Sequence, residues 1–535
     1  MQNRHLLRIS SALFLVALTA CAPAGADPVN DESAVEFPTA NRADVRGVHG
    51  AVTSDHPLAT AVGLNVLKQG GNAVDAIISM AGVLAVVRPH MNGVGGDAFG
   101  IFYDGETREV VAMNGSGRAG VLAIPAFFEA AGVDRMPSNG PLSVSVPGAV
   151  AAWEDALERF GTISLAEALA PAIAYARDGF PVSTRLASDI AGGSRNLNES
   201  ARAVFTPGGN PPAVGSLLKN TALSETLQFI AREGKDGFYR GAPAAAISRF
   251  LEGEGGYLRA PDFAAHETTW TTPLEGSYVD HRILVMPPNT QGIAQLEMMA
   301  MAAEHDLEGM GHNSADYLHT LVELKKLAFA DRDRWVADPE HAHVPIDELL
   351  DADYLRDRAT MVGSRAAEGV VSGVQGHAVT ADSHGDADDA GDTVYLTAVD
   401  QWGNGVSWIQ SLFGGFGSGL LEPETGVVLQ NRGALFTLDT EHPNVVAPGK
   451  RPYHTLTPMM ALNTDGSLAF TLGTPGGDSQ VQSLIQIVNN VFLFGMTPQQ
   501  AIEAPRFRSQ IGLRVSFEDR VPGSVLDDLA SRGHE

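Results

Sequence analysis

Two hydroxyl side chains, those of Thr393 and Ser411, are the first candidates for chemistry in this sequence. The stretch HGDADDAGDTVYLTAVDQWGN, residues 384–404, is rich in acidic and small residues as far as Asp392. Thr393 then begins an uncharged stretch, TVYLTAV, which predicts a largely buried strand. A hydroxyl therefore stands where an irregular, acid-rich segment ends abruptly in the middle of the chain.

The spacing of Asp400 and Asn404 predicts which residue Thr393 faces. The two flank Gln-Trp-Gly, a pattern typical of a hairpin with a three-residue loop. If position 400 faces 404, then Thr393 faces Ser411, within the one residue by which a β-bulge shifts a register. The two hydroxyls then lie side by side on one face of neighbouring strands. Threonine is common in ordinary strands, so the hairpin alone does not establish a reaction.

The stretch LGTPGGDSQ, residues 472–480, adds hydrogen-bond donors. A strand ends there, Gly476 and Gly477 form a tight turn, and Asp478 or Ser479 is placed to cap the next helix. Free N–H groups at the start of a helix suit a developing oxyanion. Taken alone, a plain strand–turn–helix connection is the simpler explanation.

Composition and missing motifs exclude several function classes. The 535 residues carry a net charge of −27, which argues against a nucleic-acid binder. Cys21 is the only cysteine, so neither an internal disulfide nor a cysteine metal site can form. A strand, not a helix, is predicted after GVGGDA (93–98), which excludes a dinucleotide fingerprint. The sequence has neither G-x-S-x-G nor H-E-x-x-H, and HAH (341–343) lacks an obvious third metal ligand. We therefore expect no metal site and no cofactor.

The elements that must position these residues follow from periodicity and turn signals. Residues 364–392 show no periodicity and predict a mobile loop. Residues 148–260 are predicted to be mostly helical, and a hairpin is predicted within 93–114. The other predicted helices are 58–72, 73–87, 293–304, 314–332 and 479–494. The other predicted strands lie within 281–292 and at 393–399, 405–411, 426–431, 459–462 and 468–473.

The N-terminus is typical of an exported protein. Arg4 and Arg8 precede the apolar run SALFLVALTA (11–20), which is too short to span a bilayer permanently. LTAC resembles a bacterial lipobox, which implies a lipoprotein signal peptide at 1–20, lipidation of Cys21 and a periplasmic or extracytoplasmic location. An ordinary signal peptide cut near residues 22–26 is the alternative. Residues 21–46 are then a tether.

Several stretches taken together resemble the gamma-glutamyltranspeptidase family of N-terminal nucleophile hydrolases over residues 47–535. The matching stretches are GAVTSDHPLATAVGLNVLKQGGNAVDA (50–76), NGVGGDAFGIFY (92–103), VPGAVAAWEDALERFG (146–161), MPPNTQGIA (286–294), GDTVYLTAVDQWGN (391–404), GFGSGL (415–420), PGKRPYHTLTPMM (448–460), TPGGD (474–478) and APRFR (504–508). Jointly these motifs are highly specific.

The resemblance implies a precursor that cuts itself between Asp392 and Thr393. The threonine hydroxyl attacks the preceding carbonyl, and Thr393 becomes the N-terminus of a small subunit. Its hydroxyl is then the nucleophile and its α-amino group the general base. Ser411 matches a threonine that hydrogen-bonds the nucleophile, and Gly476 and Gly477 match the oxyanion-hole glycines.

The substrate-binding positions depart from the family pattern. Transpeptidases hold the glutamyl α-carboxylate with an arginine, whose place falls near Ser116 here, with Arg118 two residues on. Phe413 replaces an asparagine that helps to hold the α-amine. Arg432 and Leu435 stand where the family has a glutamine and the amine-binding aspartate.

Three further positions complete the predicted substrate site. Asn431 is kept, whereas His454 and Thr455 replace a serine pair. A buried ammonium group without a carboxylate partner is costly, and Arg432 favours an anionic group instead. The pattern is closer to the cephalosporin-acylase-like branch, whose members hydrolyse acyl amides.

The sequence thus predicts an α+β fold, a four-layer αββα sandwich built jointly by a large subunit (47–392) and a small subunit (393–535). The predicted activity is that of a self-cleaving gamma-glutamyltransferase or glutathione hydrolase, acting on gamma-glutamyl compounds or related acyl amides. Its partners are a small amide or peptide substrate and the other subunit, with membrane contact only through a lipid anchor. The alternatives are a substrate-binding lipoprotein that has lost catalysis and a metal-dependent hydrolase using residues 341–343.

Overall fold

The structure, a computed structural model, describes residues 41–374 and 392–535. The predicted signal peptide, Cys21 and the tether as far as residue 40 lie outside the described residues. So does the segment 375–391, which is most of the loop predicted at 364–392.

The strands form two main sheets and three short pairs. In the first sheet the order is β1-β9-β10-β2-β3-β6, and in the second it is β14-β13-β8-β7. The strands are β1 Gly50–Thr53, β2 Asp97–Tyr103, β3 Val110–Gly115, β4 Phe180–Pro181, β5 Leu217–Leu218, β6 Thr269–Thr271, β7 Leu274–Tyr278, β8 His281–Val285, β9 Asp392–Asp400, β10 Gly405–Phe413, β11 Leu421–Glu422, β12 Val427–Val428, β13 Met459–Leu462, β14 Leu468–Leu472, β15 Phe507–Ser509 and β16 Val515–Phe517.

The helices flank the two sheets, and within the described residues none is long and apolar enough to cross a membrane. The helices are α1 Pro57–Lys68, α2 Ala73–Val87, α3 Pro125–Ala130, α4 Ala149–Phe160, α5 Leu165–Asp178, α6 Thr184–Gly193, α7 Glu199–Phe205, α8 Thr221–Arg240 with a kink at Gly234, α9 Ala242–Gly253, α10 Ala260–Ala264, α11 Gly292–Ala302, α12 Leu307–Met310, α13 Ala315–Trp335, α14 Ile346–Leu349, α15 Ala352–Ala359, α16 Ser479–Phe492, α17 Pro498–Glu503 and α18 Gly523–Ser531.

Side-chain clusters arrange these elements in four layers. The first sheet packs its outer face against α2 and α4, and the second sheet packs its outer face against α11. A separate apolar cluster, including Phe99, Ile409 and Met460, fills the space between the two sheets. The layers therefore run helix, sheet, sheet, helix, and the predicted αββα sandwich is confirmed.

The hairpin β9–β10 has the predicted loop and nearly the predicted register. Asp400 N–H donates to the carbonyl of Asn404 at 3.0 Å, and Gly403 adopts a left-handed φ of 85°. The pairing keeps the predicted register from Gly405–Val399 to Gln410–Val394, and then a bulge places Phe413 opposite Asp392. The bulge falls at the end of the hairpin where Ser411 lies.

Alternation along these strands decides where the two hydroxyls point. Val394 and Leu396 pack toward the helices, whereas Tyr395 packs into the cluster between the sheets. Because side chains alternate along a strand, Thr393 shares the face of Tyr395 and points between the two sheets.

Most other predicted elements are confirmed, with small shifts at their ends. The predicted strand 426–431 is shorter than expected, because only Val427–Val428 pair. The described part of the predicted loop, residues 364–374, contains neither helix nor strand but is held to α13. Ser372 Oγ and Gly373 N–H both donate to Asp331 Oδ1, at 2.7 and 3.0 Å. The absence of helix and strand at residues 364–374 is therefore confirmed, and the mobility of the loop stays a prediction.

Candidate active site

Thr393 and Ser411 are in direct hydrogen-bond contact. Thr393 Oγ1 donates to Ser411 Oγ at 3.1 Å, and Ser411 Oγ donates to the carbonyl oxygen of Asp392 at 2.7 Å. Phe413 N–H donates to the same Ser411 oxygen at 2.7 Å. One serine hydroxyl therefore connects the threonine hydroxyl to the carbonyl of the peptide bond before it, and the side chains of Thr393 and Ser411 are both buried.

The bulge in β10 is held by backbone and amide contacts. Ser411 pairs with Asp97 in the neighbouring strand β2. A Cβ atom at Gly96 would lie 2.4 Å from the Ser411 carbonyl oxygen, so only glycine allows this close approach. Asn431 Oδ1 accepts from Gly414 N–H at 2.8 Å, and its Nδ2 donates to Ser138 O at 2.7 Å. Asn431 thus fixes the backbone beyond Ser411, and both ends of its amide are engaged.

Arg432 is a fully buried cation with unused donors. It begins a 3₁₀ turn, Arg432–Leu435, and donates from Nη1 to Thr455 Oγ1 at 3.0 Å. Its guanidinium carbon lies 4.6 Å from the centre of the Phe413 ring. Among the described residues its Nε and Nη2 have no hydrogen-bond partner. Burial lowers the pKa of Arg432 to about 9, so it is still a cation at neutral pH.

Asp97 supplies the charge that partly balances Arg432. Its carboxylate accepts from Gln430 Nε2 at 2.9 Å and from Gly117 N–H at 3.0 Å. Burial raises the pKa of Asp97 to about 6, with the Arg432 cation acting in the opposite direction. Asp97 is thus mostly ionised at neutral pH.

His454 bonds to Asp97 as a neutral imidazole. Its Nδ1 accepts from Leu456 N–H at 3.3 Å, so the ring proton lies on Nε2, which donates to Asp97 Oδ2 at 3.2 Å. Burial holds the pKa of His454 well below its usual value. The contact is therefore a hydrogen bond and not an ion pair.

The turn at Gly476 and Gly477 presents two backbone N–H groups that are available as hydrogen-bond donors. Gly476 and Gly477 have φ angles of 121° and 56°, which favour glycine. Neither N–H donates a hydrogen bond to any described residue. Asp478 takes the N-cap position of α16 as predicted, but makes no side-chain capping bond, because its carboxylate pairs with Arg332 at 3.0 Å.

Gln291 connects this turn to the Arg432 side of the site. Its Nε2 donates to Thr455 O at 2.6 Å and to Gly477 O at 3.1 Å. Its Oε1 accepts from Arg332 Nη1 at 2.9 Å and from Tyr453 hydroxyl at 3.1 Å. Buried contacts thus lead from Thr455 to the Gly477 turn.

The structure therefore brings most of the sequence-predicted site residues together, and their roles in catalysis stay predictions. Arg118 is occupied elsewhere. Its guanidinium donates to Gly449 O at 3.0 Å and pairs with Glu340 at 2.9 Å. Leu435, at the family's aspartate position, is buried with Phe413 in an apolar cluster.

Asp97, Gln291, Arg332, Gln430 and Tyr453 were not predicted as site residues. Asp97 lies within the quoted glycine-rich motif, and a carboxylate at the start of an apolar strand was the one available signal. The others contact the site through pairings distant in sequence, for which the chain offers no local pattern.

Comparison with known proteins shows the family of this chain. The family model described as Gamma-glutamyltranspeptidase matches residues 59–535. The chain is 36% identical over 503 residues to "Glutathione hydrolase-like YwrD proenzyme" of Bacillus subtilis (strain 168), covering 92% of this chain and 91% of the relative. It is 33% identical over 511 residues to "Acylase ACY 1 proenzyme" of Pseudomonas sp. (strain SE83), covering 93% and 89%.

A solved structure gives the same result for the fold. The cephalosporin acylase from Bacillus halodurans superposes with a TM-score of 0.85 at 33% identity, covering 95% of this chain and 92% of the other. Relatives of this family are thus named both as glutathione hydrolases and as acylases, and several are proenzymes. The chain belongs to the gamma-glutamyltranspeptidase family of hydrolases and acylases.

Proposed function

We propose that this chain is a self-cleaving amidohydrolase that uses Thr393 as an N-terminal nucleophile and prefers acyl amides whose acyl group carries a negative charge. The observation that carries the proposal is the hydrogen-bonded path from Thr393 Oγ1 through Ser411 Oγ to Asp392 O. It joins an attacking oxygen to the carbonyl it would attack.

The first reaction is cleavage of the precursor. Thr393 Oγ1 bonds to the carbonyl carbon of Asp392, its proton passes to Ser411 Oγ, and the Ser411 proton passes to the carbonyl oxygen. The tetrahedral intermediate then collapses: the C–N bond breaks, the nitrogen takes that proton, and an ester forms. Water hydrolyses the ester and leaves a carboxylate on Asp392 and a free amino group on Thr393.

Turnover repeats this chemistry on a substrate amide. The new α-amine, which titrates near pH 8 in ordinary peptides, accepts the Thr393 hydroxyl proton as the oxygen attacks. The N–H groups of Gly476 and Gly477 are proposed to stabilise the oxyanion. The protonated α-amine then gives its proton to the leaving amine, and water hydrolyses the acyl-threonine ester. All these groups come from the chain itself.

The acyl preference rests on Arg432. A buried guanidinium with two unused nitrogens is stabilised by an anionic partner, and a bidentate carboxylate fits such a pair of donors. A substrate ammonium group would instead meet Arg432 and the apolar side chain of Leu435. We therefore place dicarboxylic mono-amides, such as glutaryl amides, ahead of gamma-glutamyl compounds such as glutathione.

An intact-mass spectrum of the purified protein tests the cleavage. Residues 393–535 are 143 of 535, so by proportion of 56.3 kDa we expect a fragment of roughly 15 kDa that begins at Thr393. A chain that stays whole under conditions in which it hydrolyses amides would contradict the proposal.

We also propose that the protein is exported and anchored by a lipid on Cys21. The basis is the sequence alone: two arginines, a short apolar run and the single cysteine at the lipobox position.

A further inference from the structure

The last residues of the chain meet α13 in a buried cluster of metal-binding side chains, which we call the His319–Glu323–His534 cluster. His319 and Glu323 lie one turn apart on α13, and His534 follows α18. One ring nitrogen of each histidine and one carboxylate oxygen lie within 4.8 Å of one another. All three side chains are less than a tenth exposed. Two imidazoles and a carboxylate are a ligand set that suits zinc-class ions.

We propose that this cluster binds one divalent transition-metal ion of the zinc class. His319 is already oriented for it. Its Nε2 lies 2.8 Å from Gly363 O, and a carbonyl only accepts, so Nε2 carries the proton. The lone pair of its Nδ1 then points at His534 Nε2, 2.8 Å away. Ligating histidines commonly donate their other N–H to a carbonyl in this manner.

The ion would take the place of the proton that lies between His319 Nδ1 and His534 Nε2. His534 Nε2 donates that proton to His319, while its buried Nδ1 has no partner among the described residues. On binding, the proton moves to Nδ1 of His534 and Nε2 becomes a ligand. A tetrahedral ion about 2.1 Å from each donor holds the donors about 3.4 Å apart. The rings must therefore separate by about 0.6 Å, and Glu323 moves in by at most about 1.4 Å.

The ammonium group of Lys326 occupies the Glu323 carboxylate that the ion would bind. Its Nζ lies 2.7 Å from Glu323 Oε1 and 2.9 Å from Ala367 O. Glu323 Oε2 accepts from Ala367 N–H at 3.0 Å. A metal ion thus competes with an ammonium group for the carboxylate. Lys326→Met should tighten metal binding, whereas a purely structural His–His contact gives no reason for such an effect.

The cluster also joins two parts of the chain that cleavage would separate. His319 and Glu323 precede Asp392, and His534 follows Thr393. This second part rests on the proposed cleavage: in the cut protein the ion would hold the large and small subunits together through His534 of the small one.

The binding experiment uses the uncut Thr393→Ala protein and the wild type, each stripped with a chelator and titrated with Co²⁺ and then Zn²⁺. We expect uptake of one ion per chain, read by visible absorption of Co²⁺ and by elemental analysis. His319→Ala and His534→Ala should lose at least about tenfold in affinity, and Lys326→Met should gain. His343→Ala is the matched control and should bind as the parent does. No uptake, or equal uptake by His534→Ala, would overturn the site.

A second measurement tests whether the bound ion holds the two cut subunits together, a role that we call the clamp. In cut wild-type protein, chelation should lower the unfolding temperature and release the small fragment in size-exclusion chromatography. In Thr393→Ala it should lower the unfolding temperature without releasing a fragment. If the ion binds but the cut subunits stay equally associated without it, the clamp is refuted and the site stands. If wild type never cuts, the proposed cleavage fails while the binding result stands.

Discussion

The hydroxyl of Ser411 donates a hydrogen bond to the carbonyl oxygen of Asp392 at 2.7 Å while it accepts one from Thr393. The same side chain therefore contacts the oxygen that would attack in cleavage and the oxygen of the carbonyl group that would be attacked. Once Asp392 has left, the oxygen that Ser411 contacted can be supplied by the carbonyl of a substrate.

Thr393→Ala should remain a single chain without amidase activity, because it lacks the attacking oxygen. Gel electrophoresis and a chromogenic acyl amide are sufficient to measure both effects. Thr393→Ser, which keeps the hydroxyl, should still cut and turn over. If the alanine variant splits after Asp392, Thr393 is not the nucleophile.

Ser411→Ala should slow cleavage and lower kcat by about 10²-fold, the usual cost of removing one donor to a developing oxyanion. The rate at which the small fragment appears and the steady-state kcat measure the two steps. Ser411→Thr keeps the hydroxyl and should recover much of both rates. Near-normal cleavage in the alanine variant would remove Ser411 from the proposed proton path.

Arg432→Gln should weaken the use of glutaryl amides selectively. A hydrogen bond to a charged group typically contributes about 1.5–3 kcal/mol, so we expect a loss of about 10- to 150-fold in kcat/KM. The butyryl amide of the same amine lacks the carboxylate and should change little. An equal loss on both amides would show that Arg432 supports the fold and not the acyl preference.

Arg118→Ala is the matched control for Arg432→Gln, because it removes a different arginine. Its guanidinium is already paired with Glu340 and bonded to Gly449 O, so the preference for glutaryl over butyryl amide should persist. A collapse of that preference would instead show that Arg118 substitutes for the family's arginine, whose place falls near Ser116.

Asp97→Asn should become relatively more stable as pH rises. Burial raises the pKa of Asp97 from 3.8 to about 6, so the folded protein holds a proton that the unfolded chain releases within this window. The stabilisation from this group is therefore lost as pH rises from about 4 to 6, by up to about 3 kcal/mol. Urea unfolding of uncut Thr393→Ala with and without Asp97→Asn, at both ends of the window, measures the difference.

Asp465→Asn is the control for that series. Hydrogen bonds from Ser467 lower the pKa of this exposed carboxylate, so its difference should have the opposite sign. A difference for Asp97→Asn that does not depend on pH would contradict the assigned shift.

Cys21→Ser should abolish incorporation of labelled fatty acid into the exported protein and release it from the membrane fraction. The variant keeps the apolar run, so export itself should continue. Labelling that survives the substitution would exclude Cys21 as the lipidated residue.

The hairpin was predictable because its loop sets its register. Asp400 and Asn404 define the turn, and the pairing they impose brings Thr393 next to Ser411 in the structure. The bulge beyond Gln410 was not predictable in position. It accompanies the close approach of Gly96, the residue before β2, to the Ser411 carbonyl, and no pattern within the hairpin encodes that contact.

The charged part of the site was only partly predictable. The sequence indicated that Arg432 replaces a glutamine and opposes an ammonium group. The bonding of Asp97 to His454 joins residues far apart in the chain, and so does the contact of Gln291 with Gly477. Such pairings arise from the packing of the two sheets, and local periodicity carries no information about them.

The strand order of the first sheet sets a sequence of events in the life of the protein. β9 and β10 lie between β1 and β2, so the strands that carry Thr393 and Ser411 are flanked on both sides by earlier parts of the chain. Under the proposed cleavage, the hairpin alone can bring the two hydroxyls close, but Ser411 pairs with Asp97 only in a copy in which β2 has joined the sheet. We therefore expect cleavage to follow folding. Misfolded copies should stay uncut and inactive, and the presence of the small fragment should indicate that a copy has folded.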